Sequence, residues 1–194
     1  MPIPLVPPQI LAPERPATSS KVFCPICVAN GYASAPSSTK KWFFTGNSVG
    51  SALWYLGEPR WQFGATYHSA TQGVRALVGY QAITERHGAP ALNLSYGLQS
   101  QETGATGVSV TLEKNGGYGP GRWNVFAGAS VRSRESVVRP VAGFRYSPSM
   151  RWSFGNQYDG NVHNPFVQYR WREYSVGALA VGARVLTLTF GISF

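Results

Sequence analysis

Charge is thin in this chain: 13% of its 194 residues are Asp, Glu, Lys or Arg, and only 8 are acidic. Lys and Glu, which dress the solvent faces of helices, are scarce, so the composition favours an all-β protein. Long hydrophobic runs are missing too. A spanning helix needs roughly 18 uninterrupted apolar residues, and the longest candidate, Ser175 to Ala183, reaches about half of that. Any membrane crossing therefore falls to a closed barrel, which leaves no backbone group unpaired. Cysteine is confined to Cys24 and Cys27. The first residues, Met1-Pro-Ile-Pro, lack the basic and apolar regions of a secretory signal, so an exported chain is expected to have lost its signal ahead of Met1.

What the chain does have is glycine and aromatic residues: 22 Gly, 10 Tyr, 10 Phe and 6 Trp. They fall into alternating patterns. At the C-terminus Leu186, Leu188, Phe190, Ile192 and Phe194 share one face of a strand, and Val185, Thr187, Thr189, Gly191 and Ser193 share the other. Trp61, Phe63, Ala65 and Tyr67 repeat the pattern against Gln62, Gly64 and Thr66, and Leu92, Leu94, Tyr96 and Leu98 against Asn93, Ser95, Gly97 and Gln99. Trp123, Val125, Ala127, Ala129 and Val131 oppose Asn124, Gly128, Ser130 and Arg132, with Phe126 the exception. The polar faces are rich in Gly, Ser and Asn and poor in Lys, which suits a packed polar lumen better than a solvated exterior. An amphipathic strand of a sandwich or of a lipocalin-like barrel is the soluble alternative.

Three zones divide the chain. Residues 1–40 are a Pro-rich arm, too dense in proline for helix or central strand. Residues 41–57 are ambiguous between a short helix, an extra strand and a plug. Residues 58–194 read as the barrel, with strands at 60–68, 74–85, 91–101, 107–114, 122–132, 137–146 and 151–158 and the final strand, separated by Gly/Pro/Asn/Ser clusters. Residues 159–183 contain further alternation that does not settle. The expectation is an antiparallel up-and-down transmembrane barrel of eight strands, with ten as the alternative. With both termini on the periplasmic side, Trp61, Trp123, Trp152, Tyr146 and Phe194 fall at one end as an aromatic girdle.

The charge balance is +9, from 17 basic residues against 8 acidic ones. No Lys/Arg run exceeds Lys40-Lys41, which disfavours nucleic acid as a partner. Lipopolysaccharide phosphates, or carboxylates within a lumen, account for the arginines equally well. The lumen-facing set is Arg75, Glu85, Glu113, Arg122, Arg132, Arg139, Arg145 and Arg151, expected to close an eight-stranded interior as hydrogen-bonded ion pairs. In a ten-stranded barrel the same basic excess would suit a narrow anion path.

Cys24-Pro-Ile-Cys27 has the spacing of half a four-thiolate metal site, and no second pair exists in the chain. A local disulfide is the favoured state in an oxidising compartment, and zinc or iron shared across two chains is the alternative. His68-Ser69, with His87 and His163, invites comparison with lipid-hydrolysing barrels. Neighbours on a strand point to opposite faces, however, so His68 and Ser69 are poorly placed to share a proton.

The hairpin Val141-Ala-Gly-Phe-Arg-Tyr-Ser-Pro-Ser-Met-Arg-Trp-Ser-Phe-Gly-Asn-Gln-Tyr158 and the ending Leu188-Thr-Phe-Gly-Ile-Ser-Phe194 resemble the small outer-membrane barrels of the OmpA-type and opacity-like group. The resemblance covers about residues 58–194 and is architectural. It implies a bacterial outer-membrane location with periplasmic termini, and a C-terminal sorting signal at Phe190, Ile192 and Phe194. It specifies fold far better than function; the leading expectation for function is a non-enzymatic structural, anchoring or partner-binding role, with lipid and lipopolysaccharide as surroundings. The arm lies outside the group's pattern and is expected to contact a protein partner. A narrow anion-preferring pore and a lipid-modifying enzyme are the alternatives.

Overall fold

The alternation extends through more of the chain than its clearest segments suggest. The computed structural model describes residues 41–56 and 60–194. Among them run twelve strands: β1 (Trp42–Asn47), β2 (Gly50–Tyr55), β3 (Trp61–His68), β4 (Gly73–Ile83), β5 (Ala91–Leu98), β6 (Thr106–Tyr118), β7 (Gly121–Arg132), β8 (Val138–Ser147), β9 (Trp152–Tyr158), β10 (His163–Trp171), β11 (Tyr174–Val181) and β12 (Val185–Ser193). Each pairs antiparallel with its sequence neighbours, and β1 pairs with β12 to close the barrel.

An all-β antiparallel closed barrel is thus the architecture, with twelve strands rather than eight or ten. Four strands make the difference. Residues 42–55, expected as a connecting segment, form β1 and β2, so the wall begins at Trp42 and not at residue 58. Residues 159–183 contribute β10 and β11, the pair that keeps the strand number even. The Pro-rich arm with Cys24 and Cys27 lies outside the described residues.

The closing seam ties the two ends of the barrel sequence together. Phe43 is in register with Ser193 and Asn47 with Thr189. Beyond the last rung, Trp42 N–H donates to Phe194 O and Phe194 N–H to Trp42 O, both at 3.0 Å. Phe194 therefore belongs to the ladder, and no edge strand is left unpaired.

Inward and outward faces sort as the period-two pattern requires. On β12 Leu186, Leu188 and Phe190 are exposed, whereas Thr187 and Thr189 are buried. Outward positions of the twelve strands carry no charged side chain except Lys114, near the end of β6, and His163 at the start of β10. The lumen is mixed in character. Phe43, Ala52, Trp54 and Leu77 form one buried apolar cluster, Phe166, Leu179 and Val181 a second, and Phe126 and Val141 a third. Close packing there depends on missing side chains: a Cβ at Gly97 would sit 2.4 Å from the Leu77 Cδ2 atom.

One end of the barrel, here the terminal end, carries Trp42, Phe194 and the connections at 84–90, 119–120, 148–151 and 172–173. Its outer rim is aromatic. Trp42 meets Tyr55 with centroids 5.0 Å apart, Trp61 meets Tyr80 at 4.4 Å, Trp152 meets Tyr169 at 5.0 Å and Trp171 meets Tyr174 at 6.4 Å. Trp123 is in register with Tyr146, and its indole lies across Gly116, where a Cβ would stand 2.1 Å from the ring. The five aromatics expected at one end do share it.

Candidate functional site

The expected lumen charges separate into three groups. Glu113, Arg132 and Arg145 are buried at 2%, 2% and 7% exposure. Glu85 and Arg139 are partly buried nearer the two ends. Arg75, Arg122 and Arg151 are exposed at the mouths, so they are not part of a closed interior network. They fall at or just beyond strand ends, where inward parity no longer means enclosure.

Glu113 organises the first polar cluster. Its Oε2 accepts from Asn93 Nδ2 and its Oε1 from Asn124 Nδ2, each at 2.7 Å. Register explains both contacts. Ala91 faces Glu113 on the β5 side and Phe126 faces it on the β7 side. The two asparagines are therefore diagonal neighbours two residues along, within reach of polar side chains on the same face. Gln81 Nε2 donates to Asn93 Oδ1 at 3.4 Å, and Asn124 Nδ2 also donates to Asn115 Oδ1 at 2.8 Å. Asn115 in turn donates to Glu85 from its backbone N–H at 3.1 Å and its Nδ2 at 2.7 Å, and Lys114 Nζ lies 3.4 Å from Glu85. A continuous polar chain thus runs from the lumen of β4–β7 to the terminal end.

The second cluster sits at the opposite end, where β7 leads to β8 and β9 to β10. Arg132 Nη2 lies 3.4 Å from Asp159 Oδ1 and donates to Asp159 O at 2.8 Å. Asp159 Oδ1 also accepts from the N–H groups of Asn161 and Val162, at 3.0 Å each. Glu135 joins the cluster 4.0 Å from Arg132 and accepts from Arg139 Nε at 2.7 Å, and Arg139 bonds Asn161 as well. Asp159 Oδ1 gains two backbone N–H donors and Arg132 the Asp159 carbonyl, yet Arg132 Nε and Asp159 Oδ2 are buried with no hydrogen-bond partner, so the desolvation of the pair is offset only in part. Asp159, Glu135 and Asn161 were not singled out from the sequence, because they lie in turns where no periodicity marks a facing direction.

The histidine region does not assemble a nucleophile and base. His68 is 2% exposed; its Nε2 lies 2.9 Å from Gln101 O and its Nδ1 accepts from Ala70 N–H at 3.2 Å. Those partners fix the Nε2-protonated tautomer. Ser69 Oγ donates instead to Val49 O at 2.9 Å. The cleft beside His68, lined by Thr45, Asn47, Thr66, Leu98 and Gln101, has a volume of about 20 Å³, enough for one water-sized group. His163 is exposed and bonds Asn156 at 2.8 Å, and the carbonyl of His87 accepts from Lys114. Among the described residues no three His, Cys, Asp or Glu side chains gather as a metal site, and Cys24 and Cys27 lie outside those residues.

The polar clusters can therefore brace strands and loops against one another. Neither a protein-family model nor a curated protein matches the chain.

Proposed function

We propose that this chain is a non-enzymatic barrel of a bacterial outer membrane, with periplasmic termini and a structural, anchoring or partner-binding role. One observation carries the reading: a closed antiparallel wall whose outward strand positions are uncharged except at Lys114 and His163, bordered at the terminal end by tryptophans and tyrosines. In water such an exterior is an unmanaged apolar surface far larger than monomers tolerate. In lipid it matches the apolar band and aromatic girdle of a spanning barrel. The lumenal clusters favour bracing over chemistry, since the buried histidine already has a backbone partner on each ring nitrogen. On this reading Phe190, Ile192 and Phe194 serve as the sorting signal, and lipid and lipopolysaccharide surround the wall.

Electrophoresis with and without boiling tests it. A closed barrel keeps its backbone paired and unfolds slowly, so the unboiled chain should resist SDS and migrate apart from the boiled one. Purification should also require detergent. A chain that stays soluble without detergent and shows no mobility shift would overturn the membrane reading.

A further inference from the structure

The lumen is wider than its small side chains can fill. Twelve strands enclose roughly half again the diameter of eight, the number whose interior ordinary side chains just occupy. Many inward positions nonetheless carry Gly, Ser or Thr. Thr45, Ser95, Ser109, Ser130, Ser153 and Thr189 come from six strands around the wall, and none is more than 8% exposed. The wall has not collapsed to bury them. Small side chains on opposite walls would meet only where the walls came nearer than the ~10 Å of ordinary sheet packing, and among the described residues only strands already joined by hydrogen bonds run close together.

Partners are wanting as well as volume. Trp54 Nε1, Ser130 Oγ, Asn164 Nδ2 and Thr187 Oγ1 belong to buried inward side chains, at most 3% exposed, and have no hydrogen-bond partner among the described residues. Each of the four can donate. Buried polar groups in folded proteins are bonded, so these donors call for acceptors in the middle of the barrel. The inward apolar clusters around Trp54 and Leu179 call for apolar side chains there.

The first forty residues of the chain have both. They end at the terminal mouth, where Lys41 leads into β1 with the parity of the inward Phe43. About ten residues cross a wall of this kind, so forty can reach any depth of it. Only Glu14, Arg15, Lys21 and Lys40 among them are charged, while Leu5, Ile10, Leu11, Phe23 and Ile26 are large and apolar. A tail built to stay in water carries more charge and less apolar surface. Eight of the 14 prolines also fall there, and proline withholds an N–H while keeping its carbonyl. Such a segment has acceptors in excess of donors, the complement of the four unpartnered groups.

We infer that the lumen is the docking site of residues 1–40. Their apolar side chains pack on the two inward clusters, and their backbone carbonyls accept from Trp54, Ser130, Asn164 and Thr187. The partner of the Pro-rich arm is then its own barrel, and the lumen is closed by that segment together with the wall. The inference rests on the closed wall and not on its surroundings, so it stands or falls apart from the membrane reading.

Trypsin applied to the folded full-length chain reads the site directly. The Lys21–Val22 bond should stay intact under conditions that cut it in the boiled chain, and cleavage there in folded protein at the rate of the boiled protein would overturn the inference. A chain lacking residues 1–40 should keep its heat-dependent mobility shift and lose the filled interior. Thr187→Cys, combined with Cys24→Ser and Cys27→Ser in the full chain and placed alone in the truncated one, should resist a bulky hydrophilic maleimide in the first and react in the second. In planar bilayers the same truncation should turn a silent barrel into a steadily conducting one. A truncated, heat-shifted barrel that stays silent and keeps Thr187→Cys protected would show the wall filling its own lumen, which also overturns the inference, as would full-length protein with a reactive Thr187→Cys. If the truncated chain does not fold, the trypsin result on the intact chain decides. Solubility without detergent would sink the membrane reading and leave the protease and thiol measurements to judge the lumen.

Discussion

Glu113 accepts from Asn93 and Asn124 at 2.7 Å each in an interior where all three side chains are nearly inaccessible. Replacing it with leucine removes both acceptors, and the Arg145 guanidinium loses a nearby opposite charge. A buried polar group left without its partner costs about 1–3 kcal/mol. The Glu113→Leu variant should therefore lose its SDS-resistant form at a clearly lower temperature than the parent chain, with Glu113→Gln between them because one carbonyl oxygen remains. Unchanged melting of the leucine variant, followed by gel mobility across a temperature series, would mean that this cluster does not brace the wall. Much of it was legible beforehand. Alternation alone put Asn93, Asn124 and Glu113 on the polar face. What alternation cannot supply is which amide reaches which oxygen, because that depends on the register that sets Ala91 and Phe126 opposite Glu113.

At the scale of elements, three of the four strands that escaped the sequence reading share a physical cause. Pattern recognition relied on a polar inward face, and β1, β2, β10 and β11 turn apolar residues inward: Phe43, Ala52 and Trp54 from the first pair, Phe166, Leu179 and Val181 from the second. On β1, β2 and β11 the two faces differ little in hydropathy, so period two is masked although the geometry obeys it; β10 does alternate, with Asn164 and Gln168 buried against exposed Val167 and Trp171, and stays unplaced in the sequence because counting it alone makes the strand number odd. Length compounds the problem, as β1 and β2 have 6 residues each. The strands with inward Ser, Thr and Asn, β5 to β7, stood out at once. This placement of the seam yields a sharp truncation test. Removing residues 1–40 leaves β1 to pair with β12, and the heat-dependent mobility shift should survive. Removing residues 1–56 deletes β1 and β2, exposes the unpaired edges of β3 and β12, and should abolish the shift and leave aggregated protein. A shift that persists in the shorter chain would show that ten strands can close by themselves.

For the whole molecule the decisive quantity is whether water runs through it. Barrel diameter grows roughly in proportion to strand number, so twelve strands enclose more width than the eight whose own side chains fill the interior. Width by itself would favour conduction, and the arginines would favour anions. Burial points the other way. Inward side chains from around the wall, among them Trp54 and Leu179, Gln157 and Asn164, Thr111 and Thr187, have exposures between 0% and 3%. A continuous water column would wet such positions. Arg132, among the deepest cationic groups in the lumen, is also tied directly to Asp159. Purified full-length chain in a planar bilayer should accordingly give no steady conductance, in low or high salt. Sustained anion-selective current that scales with the amount of inserted barrel would overturn the closed lumen and turn the same arginines into the lining of a pore.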